Sequence, residues 1–360
     1  MKVKDIYNAI NEFAPYKNAE KWDNCGILVG NPDKEISKVL LCLDVTYEVI
    51  NEAEKIGAEL ILSHHPIIFN PLKNVLANSI VYQLIKKDIS VISSHTNLDI
   101  SPEGVNLALA NAAGLKNLRP LTTIKNINYN TINVFVPKES CEKVKEAVFL
   151  AGAGEYDNYK NCAFSTTGKG QFLPLENSNP YLGQKNEVSY ADEEEITFIC
   201  PSSKLNKVIS AMLDAHPYET PAYNIFENKA LSEKVYIGLI GECDEMTGKE
   251  LALILKKNLQ SDSVKIVNAD KKVKTVGLCS GSGADFISDA LAKGADAFIT
   301  GDVKHNILVD ALNNGLVLID GGHFATENIV LPQFKKSLEK RCKNIEFVIA
   351  ETSHDPAQYI

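Results

Sequence analysis

From Lys38 onward, short apolar runs alternate with longer stretches of helical periodicity. "KVLLCLD" (38–44) and "ELILS" (59–63) are continuous apolar runs bounded by polar residues, the pattern of strands covered on both faces. Between them, "VTYEVINEAEKIGA" reads as a helix. "NSIVYQLIKKD" is a second helix, "ISVISS" a third strand, and "EGVNLALANAAGL" a helix closing at Gly114. Strand–helix alternation of this kind predicts a mostly parallel sheet with helices on its faces. The opening "MKVKDIYNAINEFAP" reads as an amphipathic helix with Ile6, Ile10 and Phe13 on one side.

The pattern changes between about Pro120 and Glu233. "INVFVP" reads as a strand, "ESCEKVKEAVFLAGA" as a helix, "NCAFSTTG" and "ITFICP" as strands, "SKLNKVISAMLDA" as a helix and "AYNIFE" as a strand. The order β-α-β-β-α-β is the ferredoxin-like plan. "FLPLENSNPYLGQKNEVSYADEEE" is expected to be a loop or hairpin region within it. The predicted organisation is therefore a discontinuous α/β domain, 1–122 and 236–360, interrupted by an inserted α+β ferredoxin-like domain, 123–235.

After Val235 the first pattern returns in register. "VLLCLDVTYEVINEAEKIGAELILSHHP" (39–66) aligns without a gap on "VGLCSGSGADFISDALAKGADAFITGDV" (276–303). Cys42 falls on Cys279, Gly57-Ala58-Glu59 on Gly294-Ala295-Asp296, and His64-His65 on Gly301-Asp302. "VISSHTNLD" then matches "IDGGHFATE", so that His95 and Asp99 fall on His323 and Glu327. The α/β domain is expected to consist of two pseudo-repeated halves whose equivalent strand ends come together.

Composition narrows the class. The chain is 45% hydrophobic and 23% charged, which suits a globular protein with a sizeable core. A net charge of −9 disfavours a nucleic-acid partner. None of the eight cysteines forms a CxxC pair, and several sit inside apolar runs. That argues against a thiolate metal site or a disulfide framework and for a reducing compartment. With no signal-peptide-like start and no membrane-length apolar run, the expected location is cytoplasmic.

Chemistry concentrates at strand ends, where functional groups of parallel α/β sheets gather. His64 and His65 end one strand; His95 and Asp99 follow the next; His323 and Glu327 follow its counterpart. Imidazoles and carboxylates without thiolate suit Zn, Fe, Mn, Co or Ni. Adjacent His64 and His65 diverge too much to serve one ion easily, but suit two ions ~3.5–4 Å apart. His64, His65, Asp99, His323 and Glu327 are thus the candidate metal ligands. His216 and His354, each isolated, are read as structural. The Gly-rich "SGSGADF" turn, with Gly281 and Gly283, is either a phosphate-binding cradle or a tight turn. Lys304 and His305, at another strand end, are candidate substrate contacts. Asp302 beside them is a candidate support for the ligands or substrate, and "WDNCGILVG" places Asp23 either in a turn or at a lip of the site.

Taken together, "WDNCGILVG", "LSHHPIIF", "SHTNLD", "GSGADF", "HPYETPAY", "ITGDVKH" and "GGHFATE" resemble the NGG-interacting-factor-like family of dinuclear-metal proteins, which includes GTP cyclohydrolase 1 type 2 homologues. The resemblance runs through nearly the whole chain. It implies two divalent ions per chain held by His64, His65, Asp99, His323 and Glu327, with Glu327 bridging. His95 is then a proton shuttle, a residue supporting the ligands, or an extra ligand. The insert resembles PII- or CutA-like trimeric folds, implying self-association as a hexamer. The implied activity is hydrolytic: metal-bound hydroxide attacking a nucleotide-type substrate, such as C8 of GTP. The alternative reading is a non-catalytic metal-binding ring protein with a regulatory or metal-handling role.

Overall fold

A strand lined by apolar residues on both faces needs a layer on each side. The computed structural model, which describes residues 1–157 and 159–358, supplies both layers. In chain order the strands are β1 (Gly26–Val29), β2 (Lys38–Cys42), β3 (Leu60–Ser63), β4 (Ser90–Ser93), β5 (Lys116–Pro137), β6 (Ala163–Phe172), β7 (Ser189–Pro201), β8 (Tyr223–Thr247), β9 (Lys265–Val267), β10 (Lys272–Leu278), β11 (Ala297–Thr300), β12 (Val317–Asp320) and β13 (Glu346–Ile349). The described residues divide into two compact units, Met1–Ile124 with Tyr236–Ile360, and Lys125–Val235.

In the first unit, one sheet has the order β1-β4-β3-β2-β13. Strands β13, β2, β3 and β4 are parallel, and β1 closes the edge antiparallel to β4. Val39, Leu41, Leu60 and Leu62 pack on one face with Ile6 and Ile10 of the helix Val3–Phe13 and Phe334 of the helix Leu331–Arg341. Leu40, Ile61 and Val91 pack on the other face with Val49, Ile50 and Leu84. The period-two alternation along each strand divides the two faces.

The second half repeats this plan in the neighbours β8-β10-β11-β12-β9, where β10, β11 and β12 are parallel. Val39 sits level with Leu60, and Leu60 with Ser90; the matching positions Val276, Ala297 and Val317 are level in the same way. Small features repeat too. Gly57 and Gly294 close their helices at φ 71° and 75°. The Glu59 carboxylate accepts from the amides of Ser37 and Lys38 at 3.1 and 2.9 Å. Asp296 accepts from Lys274 and Thr275 at 3.0 and 2.8 Å. Each carboxylate ties the start of one strand to the start of its neighbour.

The ungapped sequence alignment fails in one place. Ser93 pairs with Ser63 as Asp320 pairs with Thr300. His95 stands two residues beyond Ser93, whereas His323 stands three beyond Asp320. The second half carries one extra residue between strand and histidine, absorbed where Gly322 adopts φ 82°. The apolar pattern locates strands but is insensitive to a single inserted glycine in the turn that follows.

The helix Val105–Ala112 joins the halves. Val105 and Ala108 belong to the core of the first sheet, while Leu109, Ala110 and Ala112 belong to that of the second. Buried Asn106 donates to the Asp99 carbonyl at 2.8 Å and accepts from the Ser280 amide at 3.0 Å. It therefore pins the turn after one ligand-bearing segment to the turn after β10.

The second unit runs β-α-β-β-α-β, with neighbours β6-β7-β5-β8 and helices Cys141–Leu150 and Leu205–Ala215. Its core joins Ile132, Val134, Val144, Val148, Ile196, Phe198, Val208 and Met212. His216 is structural: its ring nitrogens bond the Phe135 carbonyl at 2.9 Å and the Tyr218 amide at 3.0 Å. The flanking strands β5 and β8 are far longer than "INVFVP" and "AYNIFE". Their more polar stretches, such as "KNLRPLTTIKN", lack a continuous apolar run, although Leu121 within this one is fully buried with Ile240 and Phe298.

Candidate metal centre

Strand β3 delivers His64 and His65 at its carboxyl end, and β4 is followed by His95 and the short helix Thr96–Asp99. The helix His323–Asn328 after β12 carries His323 and Glu327 one turn apart, facing the same way. These side chains meet. Glu327 Oε2 lies 2.9 Å from His65 Nε2, 3.0 Å from His323 Nε2 and 3.8 Å from His64 Nε2. His64 Nε2 is 3.6 Å from Asp99 Oδ1, and the Nε2 atoms of His323 and His65 are 3.4 Å apart.

Three overlapping groups have ligand atoms within 4.8 Å of one another: His65, His323 and Glu327; His64, Asp99 and Glu327; and His64, His65 and His95. Glu327 is common to the first two, which divide His64 and His65 between them. His95, expected as a shuttle, a support or an extra ligand, therefore stands close enough to the pair to act as a ligand.

The outward nitrogen of each histidine is held. His65 Nδ1 donates to Asp44 at 2.7 Å, His323 Nδ1 to Asp302 at 2.7 Å, and His95 Nδ1 to Asp23 at 3.0 Å. His64 Nδ1 donates to the Ser94 carbonyl at 2.9 Å. Every Nε2 is thereby aimed inward, the arrangement that orients imidazoles for a cation. Asp302 does this from a left-handed backbone, φ 53°, and also accepts from Ser282 Oγ at 2.8 Å.

A cation fits this donor set. His64 Nε2 and Asp99 Oδ1 are buried without a hydrogen-bond partner among the described residues. Such a buried orphan costs about 1–3 kcal/mol, and a divalent ion would satisfy both atoms at once. Titration points the same way. Burial holds the His64 pKa down, to about 3, and raises that of Asp99 to about 7 with the help of the Glu327 charge. Burial also opposes charge on His65, but hydrogen bonds to Asp44 and Glu327 outweigh it and raise its pKa to about 10. The hydrogen bond to Glu327 leads in raising His323 to about 9. Against its burial, Glu327 is held well below the usual carboxylate range by His323 and His65. Protons on His65 and His323 would thus occupy the positions a metal would take, and a bound metal would displace them.

Of the two readings of the "SGSGADF" turn, the tight turn is favoured by three of its amides. Ser280 N donates to Asn106, Gly281 N to Thr326 Oγ1 and Gly283 N to Thr300 Oγ1. Gly281 serves packing instead: a Cβ there would lie 2.0 Å from Glu327 Oε1. Lys304 and His305 lie exposed at the start of the helix His305–Asn314. No hydrogen bond or ion pair joins them to the cluster among the described residues. The residue that sequence reasoning missed is Asp44. It stands at the carboxyl end of β2, where the strand-end rule applies, but it reads as an ordinary polar stop before the Thr46 helix cap.

A family model described as Duf34/NIF3 (NGG1p interacting factor 3) matches residues 1–356. A Staphylococcus aureus protein named "GTP cyclohydrolase 1 type 2 homolog" is 36% identical over 370 residues, covering all of both chains. A Halalkalibacterium halodurans protein of the same name is 37% identical over 373 residues, again covering all of both. Among solved structures, a Bacillus cereus protein related to NIF3 aligns with a TM-score of 0.73 at 34% identity, over 100% of this chain and 99% of that one. A Staphylococcus aureus protein aligns with a TM-score of 0.77 at 32% identity and the same coverage.

Proposed function

Because this chain belongs to the Duf34/NIF3 family, we propose that its histidine–carboxylate cluster holds two divalent ions and hydrolyses a nucleotide-type substrate. The observation that carries the reading is the position of Glu327 Oε2, common to two ligand groups that share no other residue. An anion between two cations offsets their repulsion, and a carboxylate alone among these ligands has two oxygens to give. On this reading Glu327 would be shared by both ions, His65 and His323 would hold one, and His64 and Asp99 would hold the other. The relatives' name supports GTP as the first substrate to try.

Divalent ions so held supply Lewis acidity and a water acidified towards neutrality. The chain supplies the rest. Asp23, Asp44 and Asp302 fix three imidazoles with Nε2 inward, and His95 is placed to take or return a proton at Nε2. We also propose that the second unit is a ferredoxin-like insert and that the chain self-assembles, a reading supported by exposed Phe164, Tyr190 and Phe226 in that unit. Light scattering giving the mass of one chain would refute assembly.

The decisive experiment loads the protein separately with Zn, Fe, Mn, Co and Ni and supplies GTP. Formate and a dihydroneopterin-type product are expected. No turnover with any of these metals removes the GTP reading, and two ions bound per chain without turnover on a wider nucleotide panel leaves a metal-binding protein that is not a hydrolase.

A further inference from the structure

Beside the cluster stands an aromatic pair that the ligand geometry does not use. Trp22 is the chain's single tryptophan, and it is 58% exposed. Phe69 is 50% exposed, and the two ring centroids lie 5.7 Å apart at 39°. The Trp22 ring also meets the edge of His95, 6.0 Å away at 75°, and His95 in turn lies 5.2 and 5.4 Å from His64 and His65. A continuous path of rings therefore leads from solvent to the candidate ligands.

The pair is held in place. Asp23, next to Trp22, has a fully buried carboxylate that accepts from His95 Nδ1 at 3.0 Å, Thr96 N at 3.0 Å and Thr96 Oγ1 at 2.5 Å. The Glu20 amide donates to Thr96 Oγ1 at 3.0 Å. Asn24 Nδ2 donates to the Ile68 carbonyl at 2.5 Å, tying the Trp22 turn to the segment that presents Phe69. The carboxylate that orients His95 thus also sets the position of Trp22. Large aromatic faces left in water lose the stabilisation of burial. Two of them fixed at the edge of a polar cluster form a surface on which a flat ring can stack.

We propose that Trp22 and Phe69 are specificity-determining residues that stack the planar nitrogen heterocycle of the substrate and present its edge to the cluster. This rests on the function proposed above and names the feature of the substrate that the site recognises: the ring, rather than the sugar or phosphate. Base–aromatic stacking is sequence-tolerant and strong enough that losing one aromatic partner weakens binding about fivefold or more.

The single tryptophan is its own reporter. Metal content of the full-length protein is measured by plasma mass spectrometry, and Trp22 emission is then followed while guanosine or, separately, ribose 5-phosphate is added. Guanosine is expected to quench emission saturably, and ribose 5-phosphate to leave it unchanged. Phe69→Ala is expected to raise the half-saturating guanosine concentration about fivefold or more at unchanged metal content, and Phe69→Tyr to restore it. Equal responses to both probes, no response in metal-loaded protein, or an unaltered curve in Phe69→Ala would overturn the proposal. Emission that follows protein dilution and not guanosine would assign the pair to contact between copies, and also overturn it. Quenching by guanosine in protein that binds no metal would keep the stacking surface and remove the metal reading; metal without quenching would do the reverse.

Discussion

The two halves of the first unit share a frame and differ in what they hang on it. After β3 come His64 and His65; after β11, in the equivalent place, come Gly301 and Asp302. Gly301 has no side chain because one there would meet the backbone of Gly322 and His323 at 2.9 Å. Asp302, in the place of His65, offers no inward nitrogen and instead supports His323. Asp44, which supports His65, has Gly281 as its counterpart, and Gly281 leaves room for Glu327. The first half thus supplies three imidazoles and a carboxylate, while the second supplies one imidazole and the shared carboxylate. The strands, the helix stops and the carboxylate clamps are common to both halves, and the chemistry differs at the turns.

The sharpest way to break this comparison is at the shared carboxylate. If the cluster holds two ions as proposed, Glu327→Ala should cost both, whereas His64→Ala or His65→Ala should mainly weaken one. Metal per chain by plasma mass spectrometry after desalting, with circular dichroism to confirm folding, separates these outcomes. Full occupancy in Glu327→Ala would show that the halves do not share a ligand there.

Next in size is Gly281→Ala. The left-handed backbone, φ 56°, costs a side chain about 1–2 kcal/mol, and the added Cβ also strikes Glu327. Thermal stability and metal content should fall together. Gly294→Ala is the control: its φ is similar, but no atom lies within 4 Å of the new Cβ. It should lose stability alone, with a melting temperature roughly 2–4 °C lower per kcal/mol in a domain of this size.

Asp302→Asn and Asp44→Asn test the supports. Asparagine keeps an acceptor and tolerates the left-handed region, so only the charge is removed. Metal affinity should fall about 10–100-fold in each case, read by competition with a chelator. If Asp302→Asn alone has no effect, His323 is held by packing rather than by its partner.

The smallest effect compares the clamps. Glu59→Gln should cost about 1 kcal/mol and Asp296→Asn less, because Asp296 is exposed. Burial raises the Glu59 pKa, but the amides of Lys38 and Ser37 overcome it and hold the group below its ordinary value. A carboxylate with a depressed folded pKa stabilises above its unfolded pKa of about 4.3 and loses that contribution as pH falls through the folded one. Urea midpoints should therefore show the Glu59→Gln deficit at neutral pH shrinking as pH drops below about 4.

Much of this was legible in the sequence because it depends on periodicity and chain position. The buried strands, the repeat of 39–66 on 276–303 and the histidines at strand ends follow from apolar runs and from where such runs stop. What was not legible depends on side chains meeting through space. Asp44 gains its role from a histidine 21 residues away on another strand end. Gly281 gains its role from a carboxylate on a different helix. Neither has a local pattern, and a glycine turn that makes room for a neighbour looks the same in sequence as one that cradles a phosphate.

Glu327 leaves the ribosome 262 residues after His65. At about 5–20 residues per second that interval is roughly 13–50 s. For all of it the nascent chain displays His64 and His65 without the carboxylate that completes two of the three ligand groups. The first sheet also lacks β13 until the chain is almost finished. On the proposed reading, metal capture would be a late event in this protein's biogenesis, and any chain that ends before the helix His323–Asn328 would carry adjacent histidines without the carboxylate common to two ligand groups.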